Sequence, residues 1–321
     1  MKSPLSQDPD SHPGRQTEGM PAGAPWRRLD MRSYVVLSVW WGCNNQCVIC
    51  MLTGLRDRLK PLDFDAYKKI VIDIVNQARY RNLILSGSEV TTFEHLEPYV
   101  QYAASLGWFK KIQIQTNGRR LKDPGYARRL VEAGVNEFFV SIHGLGATHD
   151  TVTSVPGSFD EVWAGLREIS GLGVNVVTNT VLNRLNAPRI PALMEALCDT
   201  GASEHHLWNY FPMEETDTKE LVVPVTQFAG MLRELLRIHR EAEKPLVLKS
   251  FPQCLSKGPP GFFDSWFPVT VLPDVFWEKF ARSGWGYCVH RDKCRARECW
   301  GLSRAHVKRF GDARELLSPM G

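Results

Sequence analysis

From residue 33 to about residue 250 the chain repeats one pattern: a short apolar run, a polar connection, an amphipathic stretch, a glycine, and the next run. No other feature constrains the fold as strongly. Strands separated by helices pair in parallel through right-handed crossovers, with helices covering the sheet. The runs are SYVVLSVW, NLILS ending near Ser86, KIQIQ, EFFVSI, VNVVTNTVL and HHLWNYF, with PLVLKSF a candidate seventh. Between them, Phe64, Tyr67, Ile70, Val71, Ile74 and Val75 recur at helical spacing. Leu96, Val100 and Ala103 mark a second helix, stopping at Gly107. Pro124 opens a third where a missing N–H costs nothing, and Gly134 closes it. Later stripes run through Val162, Leu166 and Ile169, through Leu193 and Leu197, and through Phe228, Leu232 and Leu235. Six such units suit an α/β fold built as an open, partial (β/α)6 barrel, whose chemistry sits at the C-terminal strand ends.

The unusual residues stand at those ends. Cys43, Cys47 and Cys50 occupy CNNQCVIC after the first run. Three thiolates this close can converge on one metal centre. An iron–sulfur cube wants a ligand on each of four irons, so three cysteines leave one iron open for a small molecule. Three free or zinc-binding cysteines are the plainer alternative. The second run leads into Ser86-Gly87-Ser88-Glu89, and the third ends in Gln115-Thr116-Asn117-Gly118, whose Asn-Gly pair is a turn signal anywhere. Ser141 and His143 end the fourth, with His143 more simply read as structural. On the fifth, two-residue alternation puts Asn179 and Asn183 on one face. The sixth carries Trp208, Asn209 and Tyr210, and alternation turns His205 and His206 to opposite faces.

The C-x3-C-x2-C spacing resembles the signature of the radical SAM enzymes, and the resemblance extends over roughly residues 33–320, strongest between 43 and 118. It implies a 4Fe-4S cluster on Cys43, Cys47 and Cys50 whose open iron takes the amino and carboxylate groups of S-adenosyl-L-methionine. Gly87-Ser88-Glu89 resembles the family's Gly-Gly-Glu motif, in which small residues let the backbone reach the methionine amino group. Ser88 replaces the second glycine, and Glu89 is expected as an anionic partner of the ammonium. Thr116 and Asn117 match the family's T-N-G segment beside the cofactor. Ser141 and Asn179 are implied at the ribose, carboxylate or methionine part, and Leu182 with Val181 over the adenine. Ile49 stands where the family usually has an aromatic residue, which thins the apolar shield over the cluster. Tyr210 is the candidate catalytic residue, stacking on adenine or relaying a hydrogen atom; filling the barrel is the equal alternative. The resemblance further implies an external electron donor such as flavodoxin or ferredoxin, reductive cleavage of the cofactor to a 5′-deoxyadenosyl radical, and hydrogen abstraction from a substrate.

Past residue 250 the alternation stops, and Cys254, Cys288, Cys294 and Cys299 appear in a stretch rich in Pro, Trp and Phe. Irregular loops need a staple, and four thiolates give a closed site for zinc or for an iron–sulfur cube. The placement resembles the auxiliary-cluster extension of SPASM and twitch enzymes, although their usual C-x2-C pair is missing. A second, auxiliary 4Fe-4S cluster is therefore favoured over structural zinc. Cys198, among Leu193, Met194 and Leu197, reads as an inert thiol. The expected organisation is a disordered tail over 1–25, a radical SAM partial barrel over 26–250, and a small irregular, cysteine-rich auxiliary-cluster domain over 251–321.

The net charge of +4 is spread along the chain and does not argue for nucleic acid. No apolar run is long enough for a membrane span. The eight cysteines group as three, four and one, which fits metal sites in a reducing cytoplasm better than disulfides. A small metabolite in specialised-metabolite biosynthesis is the expected substrate, with a peptide the alternative. His205, Asn209, Glu214, Glu215 and Lys249 are candidate substrate contacts. An electron-transfer iron–sulfur protein and a zinc-stapled binding module are the readings from other classes.

Overall fold

The computed structural model describes residues 31–255, 262–264, 266–296 and 299–321. The expected 1–25 tail lies outside the described residues. Strands β1 (Tyr34–Trp40), β2 (Asn82–Gly87), β3 (Lys111–Thr116), β4 (Glu137–Ser141), β5 (Asn175–Leu182), β6 (Glu204–Asn209), β7 (Leu246–Lys249) and β8 (Val269–Val271) form one sheet. Every pairing is parallel, in the order β7-β6-β5-β4-β3-β2-β1-β8. The runs read from the sequence are β1 to β7. The short β8, half-buried and set between Pro268 and Pro273, was missed. It pairs with β1 through Val35↔Val269 and Leu37↔Val271, so the stretch beyond residue 250 also supplies an edge of the sheet.

The α-helices among the described residues are α1 (Phe64–Asn76), α2 (Leu96–Ser105), α3 (Pro124–Ala133), α4 (Ala147–Thr153), α5 (Ser158–Ser170), α6 (Ile190–Cys198), α7 (Val225–Glu241), α8 (Asp274–Ala281) and α9 (Arg304–Phe310). Local chemistry starts them where the sequence suggests. Asp63 caps α1 by accepting from the Ala66 amide at 2.9 Å. Asp123 caps α3 one residue before Pro124. Alternate positions on one strand face bury Val35, Leu37, Leu83, Leu85, Ile112 and Ile114 against Tyr67, Val71, Ile74, Val100 and Leu130 of the helices. Each such side chain contributes about 1.5–3 kcal/mol when fully buried.

The other face curls inward. Tyr34 on β1 donates to the Glu137 carboxylate on β4 at 2.6 Å. Three strand spacings separate them, about 14 Å in a flat sheet, so only a curled sheet brings them together. Gln113, Lys111 and Asn175 also donate to Glu137, forming a polar floor at the N-terminal end of the strands. Trp266 packs on Tyr34, Val36 and Ile84, while its carbonyl accepts from Lys249 on β7. The opposite end, where β1 to β6 run out, is left for chemistry.

Candidate cofactor site at the strand ends

The loop after β1 is fastened residue by residue to its neighbours. The Ser88 amide donates to the Trp40 carbonyl at 2.8 Å, and the Glu89 amide to the Gly42 carbonyl at 3.0 Å. Gly87 makes this approach possible. With φ of +145° it stands so close to β1 that a Cβ there would lie 1.9 Å from the Trp40 oxygen. The Asn117 side chain donates to that of Asn44 at 2.7 Å. The Gln46 and Val48 amides donate to the Thr153 and Val152 carbonyls at the end of α4, both at 3.0 Å. Residues from β2, β3 and α4 thus meet on the segment that carries Cys43, Cys47 and Cys50.

All three cysteines are partly buried free thiols. Burial first, then the neighbouring Cys50 and Cys43, pushes the Cys47 thiol up to about 12. Cys43 is also raised, chiefly by burial. Their mutual electrostatic influence marks them as close neighbours. Among the described residues no three Cys, His, Asp or Glu side chains are gathered for a single metal ion. A cube takes each thiolate on its own iron, so it accepts ligands spread more widely than one zinc does.

Glu89 ties two of the strand-end motifs together. It is fully buried, and its carboxylate accepts from the Thr91 amide (3.0 Å), the Thr91 hydroxyl (2.5 Å), the Thr116 hydroxyl (2.6 Å) and the Asn117 amide (2.5 Å). Three of these donors converge on Oε1 and one on Oε2. Glu89 is therefore a strut joining the Gly87-Ser88-Glu89 turn to Thr116-Asn117-Gly118. Burial raises its carboxyl above the ordinary range, while the hydrogen bonds pull against that rise.

On the inner face, register continues one row from Ser141 to Asn179 to His206. Ser88 Oγ and Asn179 Oδ1 are buried without a protein partner. A buried polar atom left open is costly, so both suit contacts to a bound polar group. Asn183, by contrast, is spent locally on Val181 and Leu185. Leu182 needs correcting. Strand alternation turns it into the helix-side core, fully buried, while Val181 packs in the cluster containing Ile49 and Tyr210. Of the two residues expected over adenine, only Val181 faces the cysteine loop. Tyr210 is buried in that same cluster with Leu221, Val222 and Ala305, and burial raises its phenol above the usual range.

Among the substrate-side candidates, His205 lies on the helix side, bonded to Thr178 at 2.6 Å. Glu215 is a half-buried partner of Arg304 and Lys308, and Glu214 is exposed. Asn209 donates to the Ser250 carbonyl at 3.2 Å. Lys249 does face inward, held by Asp264 at 3.1 Å. Burial pushes His143 down to about 3, so it stays neutral; it accepts from the Val181 amide. Three contributors were not among the candidate site residues. Arg119 donates to the Asn44 carbonyl and, at 2.9 Å, to the Asn45 side chain. His206 points inward and meets Glu204 at 2.5 Å. Asp217, nearly buried, organises the connection before α7. The signal for Arg119 was its place directly after Asn117-Gly118, and for His206 the alternation itself.

A family model described as the Radical SAM superfamily matches residues 37–197, half of the chain. The chain belongs to the radical SAM superfamily. It is 28% identical over 189 residues to Fe-coproporphyrin III synthase of Methanosarcina barkeri, covering 57% of this chain and 45% of that protein. It is 28% identical over 152 residues to GTP 3′,8-cyclase of Tolumonas auensis, covering 46% and 44%. The radical SAM chain thus spans less than half the length of these relatives. Streptococcus suis SuiB bound to the precursor peptide SuiA shares its fold, with a TM-score of 0.55 at 15% identity over 67% of this chain and 48% of that one. Membership implies a 4Fe-4S cluster and S-adenosylmethionine. The three-thiol loop, the backbone cradle at Gly87 and the open atoms of Ser88 and Asn179 fit both groups.

The second cysteine group is also drawn together in this radical SAM protein. Burial raises Cys254 and Cys299, and each feels neighbouring cysteines: Cys299 and Cys288 act on Cys254, Cys288 and Cys294 on Cys299. Backbone amides of Gly301 and Met320 point at the Cys299 and Cys294 sulfurs at 3.4 Å each. Such N–H···S contacts suit thiolate ligands. Cys198 stands apart, 3.9 Å from a His239 nitrogen, with its thiol raised to about 11 by burial. No helix among the described residues is long and apolar enough to cross a membrane.

Proposed function

We propose that this radical SAM enzyme binds its cube through Cys43, Cys47 and Cys50, seats S-adenosylmethionine across the ends of β2 to β5, and takes a hydrogen atom from a small-metabolite substrate. The observation that carries the reading is the fastening of three strand-end motifs onto one three-cysteine loop. When bound, the cluster and cofactor supply a primary-carbon radical able to attack an unactivated C–H bond. The protein's own residues do the rest. Backbone around Gly87 and Ser88 receives the methionine end. Ser141 and Asn179 offer hydrogen bonds from the inner wall, and Val181, Ile49 and Tyr210 give an apolar, water-poor side. Tyr210 lies in contact range of this wall, which supports stacking or hydrogen relay there.

Cys254, Cys288, Cys294 and Cys299 would hold an auxiliary 4Fe-4S cluster, giving the electron of a substrate radical a path out. A flavodoxin or ferredoxin is the proposed donor, and specialised-metabolite biosynthesis the proposed setting. The small-molecule reading draws on the GTP 3′,8-cyclase likeness; a peptide substrate is the second reading, favoured by the fold shared with peptide-bound SuiB. Anaerobic purification with metal analysis, then incubation with deuterated candidate substrates, tests the proposal. About eight irons per chain and deuterium in 5′-deoxyadenosine support it. Replacing Cys43, Cys47 and Cys50 by Ala should abolish 5′-deoxyadenosine, and equal cleavage by that variant refutes the site. Zinc alone refutes the enzyme reading.

A further inference from the structure

The connection between β6 and α7, residues 210–224, has no regular secondary structure, yet near its middle it is tied to two other functional parts. Connections of this length in a compact domain generally serve a purpose. On one side Lys219 Nζ donates to the Val48 carbonyl at 2.8 Å. Val48 lies between Cys47 and Cys50, and its amide already donates to Val152. The Val48 residue is thus held at both its N–H and its C=O. On the other side the Asp217 carboxylate, 2% exposed, accepts from Arg309 on α9 at 2.8 Å. Asp217 also accepts from the Leu221 and Val222 amides at 2.9 and 3.0 Å, which fixes the turn that presents Lys219.

The apolar contacts repeat the arrangement. Leu221 and Val222 of the connection, Ile49 of the cysteine loop and Ala305 of α9 belong to one buried cluster, with Cys47 packed against it. Helix α9 begins at Arg304, five residues after Cys299. Leu302, just before it, belongs to the cluster against which Cys254 and Cys288 pack. Segment 210–224 therefore stands between the two cysteine groups and touches the supports of both.

We propose that this connection is a latch that positions the first cysteine loop for S-adenosylmethionine, with Lys219 as its contact and the Asp217–Arg309 pair as its anchor on the second group. It rests on the reading that Cys43, Cys47 and Cys50 form the cofactor site. Lys219 and Arg309 are positioning residues, acting through the Val48 peptide rather than on cofactor or substrate. Release of the anchor should loosen both segment 213–223 and loop 44–53. Release of Lys219 alone should loosen only the loop.

The test uses the anaerobically loaded full chain. Hydrogen–deuterium exchange is followed over both segments, and S-adenosylmethionine affinity is measured by equilibrium dialysis. Arg309→Ala should raise exchange in both segments and weaken binding by about fivefold, the scale of one charge-assisted hydrogen bond in a partly exposed setting. Lys219→Ala should raise exchange in the loop and weaken binding similarly, and Lys219→Arg should restore both. Arg237→Ala, which removes an exposed pair with Glu241 on α7, should change neither. If Lys219→Ala leaves loop exchange and affinity at parental values, the latch is refuted. The same holds if Arg309→Ala alters segment 213–223 alone. A parent chain that fails to bind S-adenosylmethionine instead refutes the cofactor-site reading. Lys219 is exposed, so its variants report even if Arg309→Ala does not fold.

Discussion

Glu89→Gln separates two roles for the acid after Gly87-Ser88. In the structure its oxygens take four donors, three on Oε1 and one on Oε2. An amide can keep at most one oxygen. In its better orientation the new N–H2 group faces the Asn117 amide, donor against donor, in a fully buried site. One charge-assisted hydrogen bond is lost and a buried amide is left without an acceptor, a cost of about 2–4 kcal/mol. At roughly 2–4 °C per kcal/mol the melting temperature should fall by about 5–15 °C. Because Asn117 and Ser88 lose their common strut, S-adenosylmethionine should also bind at least about tenfold more weakly. Differential scanning fluorimetry of the metal-free chain and equilibrium dialysis of the loaded one measure the two effects. A direct ionic partner of the ammonium would behave differently, losing affinity while the melting temperature stayed within about 2 °C. That outcome, or no change in either quantity, refutes the strut.

Other expectations are equally specific. Leu182→Ala should cost about 2–5 kcal/mol of stability by denaturant unfolding and leave cofactor affinity alone, whereas Val181→Ala should weaken affinity at little cost in stability; the reverse pattern contradicts the strand facing. Gly87→Ala forces a Cβ onto the Trp40 carbonyl and should abolish the spectral response of the cluster to S-adenosylmethionine, and a normal response would mean the cradle is elsewhere. Burial holds His143 near 3 and His149, His239 and His306 near 4, all below their ordinary value. The unfolded chain then takes up protons first, so their contribution is complete above about pH 6.5 and is lost as pH falls toward 4. At pH 5 each costs about 2 kcal/mol, together on the scale of a whole domain's stability. Denaturant unfolding of the metal-free chain between pH 8 and 5 should therefore show a steep acid loss, and a flat profile would exclude it.

The barrel was legible because its strands and helices each obey a period the sequence displays. SYVVLSVW and NLILS became β1 and β2, and the Tyr67, Val71 and Ile74 stripe packs against them. The three-cysteine loop was legible for a different reason: its residues are close in sequence as well as in space. What escaped depends on distant pairs. Glu89 could not be seen as a strut until Thr116 and Asn117 were brought beside it. Asp217 and Arg309 are too far apart along the chain for either to betray the other. Leu182 shows an avoidable error, since alternation alone distinguishes it from Val181. The strand β8 carries no such signal, being three residues long with only half-buried side chains.

That last strand has a consequence for how the molecule is made. Tyr34–Trp40 is synthesised well over 200 residues before Val269–Val271, yet the flank of it that pairs with that strand stays unpaired until Val269–Val271 has emerged. In the interval a row of unmet amides and carbonyls lies open to any passing chain, the usual starting point for aggregation. A fragment ending near residue 250, cut to isolate the barrel, would keep that exposure for good. Expression of such fragments should yield inclusion bodies unless residues through 271 are retained.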